Sequence, residues 1–259
     1  MYTLAVFLVI LVYLVTLKSR TYNRFKSRFE EVNGTRDLPV DMVYCISMPD
    51  RLDYIQSKMK ELGTSYKLFH AISPDVLNYW DYFTMSNTLL PGSPMYKKIT
   101  KLPVALSFFM CYYDAYVNGY DTICILEDDI KFVVNIEEIR SLIQEFKETD
   151  QDILFMGYCW LKCKGTNFKQ ISPNIFSVPR EKNILCNHAM VLKRSLFAPY
   201  VKRSPFLYYT QHNDRTLSSY LKKHNIKKCV PSSGYINQNV SELGSNNENV
   251  NKNIYTCTL

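Results

Sequence analysis

Short apolar runs alternate with longer amphipathic stretches along most of this chain, and that alternation predicts strands and helices in turn. "MVYCISM", 42–48, reads as a first strand. Leu52, Ile55, Met59 and Leu62 then share one helical face, and Gly63 suits the C-terminal cap, so a helix is expected over 51–62. "YKLFHAI", 66–72, reads as a second strand. Pro103 opens a helix through "VALSFFMCYYDAYV" to Asn118-Gly119. "TICIL" from 122 is the next strand. Asn135 with Glu138 three residues on predicts a capping box and a helix ending near Phe146. "DILFMGY", "NIFSV" and "HAMVL" are further strands, and Asp214 could cap a helix through His224. Residues 21–40 read as a basic connector, 73–100 as irregular, and 241–259 as a polar, Asn-rich tail. Strands alternating with helices imply an α/β domain over 41–240 with a mostly parallel, mixed sheet flanked by helices.

One stretch carries chemistry. "TICILEDDIKF", 122–132, sets Glu127, Asp128 and Asp129 side by side directly after an apolar strand. Adjacent carboxylates repel, so water, a basic side chain or a metal ion must offset them. Ligands of open α/β sheets gather beyond the carboxyl ends of the strands, where this triplet falls. Carboxylates one residue apart in extended chain point to the same side, which gives oxygen ligands for Mg²⁺ or Mn²⁺. A solvated acidic turn is the bland alternative.

Composition narrows the ligand. Lys and Arg outnumber Asp and Glu by 31 to 24, a net charge of +7 that suits an anionic partner without choosing one. No two glycines lie close together, which excludes a G-x-G-x-x-G dinucleotide turn and a Walker phosphate loop. A metal between carboxylates and a diphosphate would replace such a loop. No basic stripe with interleaved aromatics is present, so nucleic acid is not expected as a partner. Cys45, Cys124 and Cys186 lie in apolar runs and read as buried thiols.

Residues 2–17 carry no charge, and a basic flank follows. Such a helix spans about 24 Å, slightly short of a hydrocarbon core. The expectation is an uncleaved transmembrane anchor at 1–20, hence a single-pass membrane protein. The basic flank argues for a cytoplasmic domain. The sequons at Asn33 and Asn239 argue for a secretory-pathway (ER/Golgi-like) lumen.

The chain resembles glycosyltransferase family 25. "YCISMPDRLDYI" matches the family's opening strand and turn at Ile46, Asp50, Arg51 and Asp53. "YKLFHAI" matches the next strand. Ser107 precedes "CILEDD" at the family's spacing, and "CNHAMVL" and Asp214 follow in order. The resemblance covers about 42–240. Departures are Ser47 for Asn, Tyr54 for Arg, Phe108 for His, and "LPVALS" where a glycine is usual. The resemblance implies a single-domain nucleotide-binding glycosyltransferase fold of the A type and a D-x-D-like motif using Mn²⁺. It further implies a nucleotide-sugar donor such as UDP-galactose or UDP-glucose, a glycan or protein acceptor, and inversion. Carried over, Asp129 and Glu127 hold the metal, Glu127 also the ribose or sugar side, and Asp128 orients them. Ile46, Ser47, Arg51 and Ser107 belong to the donor site.

A carboxylate base is needed to take the acceptor proton, and Asp214 is the candidate. It could instead complete the metal shell, or cap its helix. His212 and His188 read as structural, and Tyr158 and Trp160 could stack on a sugar or fill the core. Two other readings stand beside this one: a metal-dependent phosphotransferase or nuclease, and a degenerate, non-catalytic sugar- or nucleotide-binding protein.

Overall fold

The computed structural model describes residues 16–77, 102–159, 168–203, 213–239 and 243. Its centre is a nine-stranded sheet in the order β1-β3-β2-β4-β9-β6-β10-β8-β7. The strands are β1 Phe29–Val32, β2 Met42–Ser47, β3 Tyr66–His70, β4 Thr122–Glu127, β6 Ile153–Cys159, β7 Lys169–Ser172, β8 Ile175–Val178, β9 Leu185–Lys193 and β10 Lys228–Pro231. β5 Ile130–Phe132 and β11 Ile236–Gln238 pair separately as an antiparallel ribbon. Besides the helical segment 16–25, the α-helices of the described residues are α1 Leu52–Leu62, α2 Leu102–Val117, α3 Ile136–Glu148, α4 Arg194–Arg203 and α5 Asn213–Lys223.

The local rules operate as expected. α1 ends on Gly63 in the left-handed region, φ +72°, where only glycine is unstrained. α3 starts from a full capping box: the Glu138 amide donates to Asn135 Oδ1 and the Asn135 amide to Glu138 Oε2, both at 3.0 Å. The alternation of β4 divides the core between the two faces of the sheet. Ile123 and Ile125 join α2, α4 and α5 on one face, while Cys124 and Leu126 join α1 and α3 on the other. Cys45 and Cys124 are free buried thiols; the Cys186 side chain lies outside the described residues.

Three expectations are corrected. The sheet is mixed but not mostly parallel. β2 pairs parallel with β3 and β4, and β6 with β10, whereas the β1–β3, β4–β9, β6–β9, β8–β10 and β7–β8 pairs are antiparallel. β9 is inserted between two parallel blocks and reverses direction against both. The stretch read as a connector contains β1, whose exposed Glu30 and Glu31 concealed an edge strand from the apolar pattern. The transmembrane anchor, and the single-pass localisation and membrane partner that depend on it, do not stand. Among the described residues no helix is long and apolar enough to cross a membrane. Residues 1–15 lie outside the described residues.

The segment after them is part of the folded domain rather than a free basic flank. Residues 16–25 are helical, Thr21 and Phe25 are buried, and Lys18 Nζ donates to the Val201 carbonyl at 2.6 Å. Tyr22 Oη donates to Asp114 on α2 at 2.6 Å. Asp114 is 3% exposed and also accepts from Tyr44 of β2 at 2.5 Å and Lys67 of β3 at 3.1 Å. A buried carboxylate is tolerated when charge and hydrogen bonds surround it, and this one ties four elements together.

Candidate active site

β4 delivers Glu127, Asp128 and Asp129 at its carboxyl end, where Glu127 lies beside Ile46 of β2 in parallel register. The three carboxylates have different fates. Asp128 is buried and consumed by the protein itself. The Met48 amide donates to Oδ2 at 2.7 Å and Arg51 Nη1 to Oδ1 at 3.1 Å. Burial pushes its carboxyl above the ordinary value, and the Met48 amide and Arg51 oppose that shift.

Asp129 is half spent. Gln238 Nε2 donates to Oδ2 at 3.3 Å, and Arg51 Nη1 is 3.8 Å from the same atom. Oδ1 is buried without a hydrogen-bond partner. Burial raises the Asp129 carboxyl too, chiefly against Arg51. The Glu127 carboxyl is held well above its ordinary range, first by burial, then by the charges of Asp129, Asp128 and Asp214, with Arg51 opposing. Among the described residues, Arg51 is the guanidinium that opposes this acidic charge at Glu127.

The turn is braced from the far end of the chain. The Asn239 amide donates to the Asp129 carbonyl at 2.6 Å, and Gln238 pairs with Ile130 across the β5–β11 ribbon. Tyr54 Oη donates to the Ile130 carbonyl at 2.8 Å and accepts from Asn239 Nδ2 at 2.9 Å. Tyr54, a departure from the family pattern, is thus a strut beneath the acidic turn. Asn239 is 3% exposed with its Nδ2 spent on that strut, a poor glycosylation acceptor. Phe108, the other aromatic departure, is 1% exposed and packs in the core.

The remaining predicted residues divide. Ile46 and Ser47 are buried at the end of β2, beside the acidic turn, and Ser47 Oγ donates to the Met48 carbonyl at 2.9 Å. Arg51 is in the cluster, bound to carboxylate. Ser107 is spent on the fold: its Oγ accepts from the Ile72 amide at 3.0 Å and donates to the Pro103 carbonyl at 2.9 Å. Asp214 lies in the first turn of α5, close enough for its charge to act on Glu127. Among the described residues no three His, Cys, Asp or Glu side chains gather as a ready-made metal shell. Asp129 and Glu127 nevertheless supply oxygen donors with excess negative charge, which is the chemistry a hard divalent cation requires. Tyr158 is buried in the core, while Trp160 and His212 lie outside the described residues.

Two neighbours went unread in the sequence. Tyr112 on α2 is 3% exposed, its hydroxyl has no partner, and the Glu127 charge helps raise its pKa. Asn187 on β9 is equally buried. An Asn within the apolar run "CNHAMVL" was the available signal; nothing distinguished Tyr112 from a core tyrosine.

Among the solved structures that match, two do so with TM-scores below 0.5. A197 from STIV matches at 13% identity and TM-score 0.37, covering 73% of this chain and 81% of its own. A UDP-glucose pyrophosphorylase complexed with UDP-glucose matches at 7% and 0.40, covering 73% and 90%. No curated protein matches the chain. Residues 41–243 match the family model described as glycosyltransferase family 25 (LPS biosynthesis protein). That match spans the strand that carries the acidic turn, both sheet blocks and the helix bearing Asp214, so the chain belongs to glycosyltransferase family 25 and is a glycosyltransferase.

Proposed function

We propose that this glycosyltransferase moves a hexose from a UDP-sugar, UDP-galactose or UDP-glucose, to a hydroxyl of a glycan or protein acceptor, with inversion and with Mn²⁺ or Mg²⁺. The observation that carries the reading is Asp129 Oδ1: a buried carboxylate oxygen without a partner, in a cluster whose acidic groups outnumber its cations. Such a group is costly unless a ligand completes it. Asp129 and Glu127 would hold the cation. Bound there, the ion supplies Lewis-acid stabilisation to the diphosphate leaving group.

The chain's own residues supply the rest. Asp128, locked by Met48 and Arg51, fixes the turn so that its two neighbours face the ligand. Arg51 offsets part of the negative charge before the donor arrives. Asp214, whose charge acts on Glu127, would take the acceptor's proton as the base. The acceptor oxygen bonds to the anomeric carbon as the carbon–oxygen bond to the diphosphate breaks. The electron pair leaves with UDP, and the proton passes to the Asp214 carboxylate. The test is release of UDP from a panel of nucleotide sugars with Mn²⁺ and after chelation. Metal-dependent release from a UDP-hexose is expected, and release that survives complete chelation overturns the metal role.

A further inference from the structure

Asn187 is 4% exposed, and neither Nδ2 nor Oδ1 of its side chain has a hydrogen-bond partner. A buried carboxamide with both ends unspent destabilises the fold, and proteins retain such groups where a ligand completes them. Its place in the sheet is specific. β9 runs antiparallel to β4 with Ala189 opposite Leu126. Asn187 therefore lies just past the last pair, at the end of the sheet where β4 releases its carboxylates.

The next residue adds to the set. His188 Nε2 is 3.0 Å from the Ile236 carbonyl. A carbonyl can only accept, so Nε2 carries the proton, and Nδ1 is a bare acceptor that is also buried and unpartnered. Gly157 makes room for the ring, since a Cβ there would lie 2.0 Å from Nε2. Two adjacent residues thus leave a double donor and two acceptors unused.

β2 and β9 flank β4 on opposite sides. Under the proposed glycosyl transfer, on which this inference rests, Ile46 and Ser47 at the end of β2 would take the nucleoside side of the donor. A diphosphate at the end of β4 then directs its sugar toward β9. We propose that Asn187 is a sugar-recognition residue whose carboxamide hydrogen-bonds hydroxyls of the donor hexose. A carboxamide donates and accepts at once, which fits the vicinal hydroxyls of a pyranose.

Asn187→Leu and Asn187→Ser test this. Each is measured for melting temperature, for UDP affinity in Mn²⁺, and for UDP-galactose and UDP-glucose affinity and kcat/KM. The expected result is a melting temperature for Asn187→Leu equal to or above wild type, because an apolar near-isostere removes unsatisfied polar groups. UDP affinity stays within about two-fold, while the preferred UDP-hexose loses about ten-fold or more in kcat/KM and the preference between epimers narrows. A fall in melting temperature with hexose affinity unchanged relative to UDP would mean that Asn187 and His188 hold an ordered water only, and would overturn the proposal. Equal loss of UDP and UDP-hexose affinity in both variants would overturn it as well. Wild-type protein that binds no UDP-hexose would overturn the parent reading and this one together.

Discussion

Arg51 Nη1 stands 3.1 Å from Asp128 Oδ1, with both side chains about nine-tenths buried, and the Met48 amide closes the other carboxylate oxygen. This pair decides which acidic groups remain for a ligand. Because Asp128 is consumed, Glu127 and Asp129 on either side of it are the carboxylates of the turn left for the proposed ligand.

Arg51→Ala leaves Asp128 buried without its counter-charge. The expected loss is about 3 kcal/mol of stability, since breaking a buried pair strands the remaining ion. Arg51→Lys should recover part of it, keeping the charge without the planar fork. Urea titrations of the three proteins check this, and an unchanged midpoint in Arg51→Ala would show that the pair does not support the turn.

Tyr54→Phe removes a hydroxyl that bridges the Ile130 carbonyl and Asn239 Nδ2. A loss of about 1–2 kcal/mol is expected, because both partners are part-buried and each loses this hydrogen bond. Equal stability of Tyr54→Phe and wild type would refute the strut.

Glu127→Gln should separate stability from function. The folded-state pKa of Glu127 is raised above its ordinary 4.5, so its contribution to stability is complete below that value. The contribution is lost as pH rises through the folded value. The glutamine variant lacks this loss. Its stability relative to wild type should therefore grow as pH rises, while its Mn²⁺-dependent UDP binding falls. Melting curves across pH 4 to 8 measure the first effect, and a stability difference that shrinks with rising pH would contradict the electrostatic account.

His188 has the opposite sign. Burial lowers its pKa from 6.5 to about 4. The unfolded chain takes up the proton first as pH falls, so stability declines between 6.5 and 4 and is steady outside that window with respect to this group. The full loss is on the order of 3 kcal/mol. His188→Gln, which does not titrate, should show a shallower decline over the same interval in urea titrations, whereas an equal slope would show that the ring is accessible to protons.

Much of the fold was legible because its signals are local. The capping box at Asn135, the glycine after Leu62 and the apolar strand ahead of the carboxylates each depend on residues within one or two turns. The β5–β11 ribbon was not legible. Each strand is three residues long, and Gln238 meets Ile130 across more than a hundred positions of chain. α4 was missed as well, because Pro199 within it argues against a helix. In the candidate site, sequence placed Glu127 and Asp129 in the turn after β4 but could not assign Asp128 to Arg51, since that contact joins two different loops. The same limit applies to Ser107: its hydroxyl has the right chemistry, and only the fold shows that Ile72 and Pro103 already use it.

The most direct measurement is calorimetric titration of UDP into wild type and Asp129→Ala, each with Mn²⁺ and with chelator, with circular dichroism confirming that both are folded. Wild type should bind UDP tightly only when the ion is present, and Asp129→Ala should lose that dependence. If the folded variant keeps full metal-dependent affinity, the unpartnered oxygen at the end of β4 is not the ion's ligand, and the account of this site is wrong.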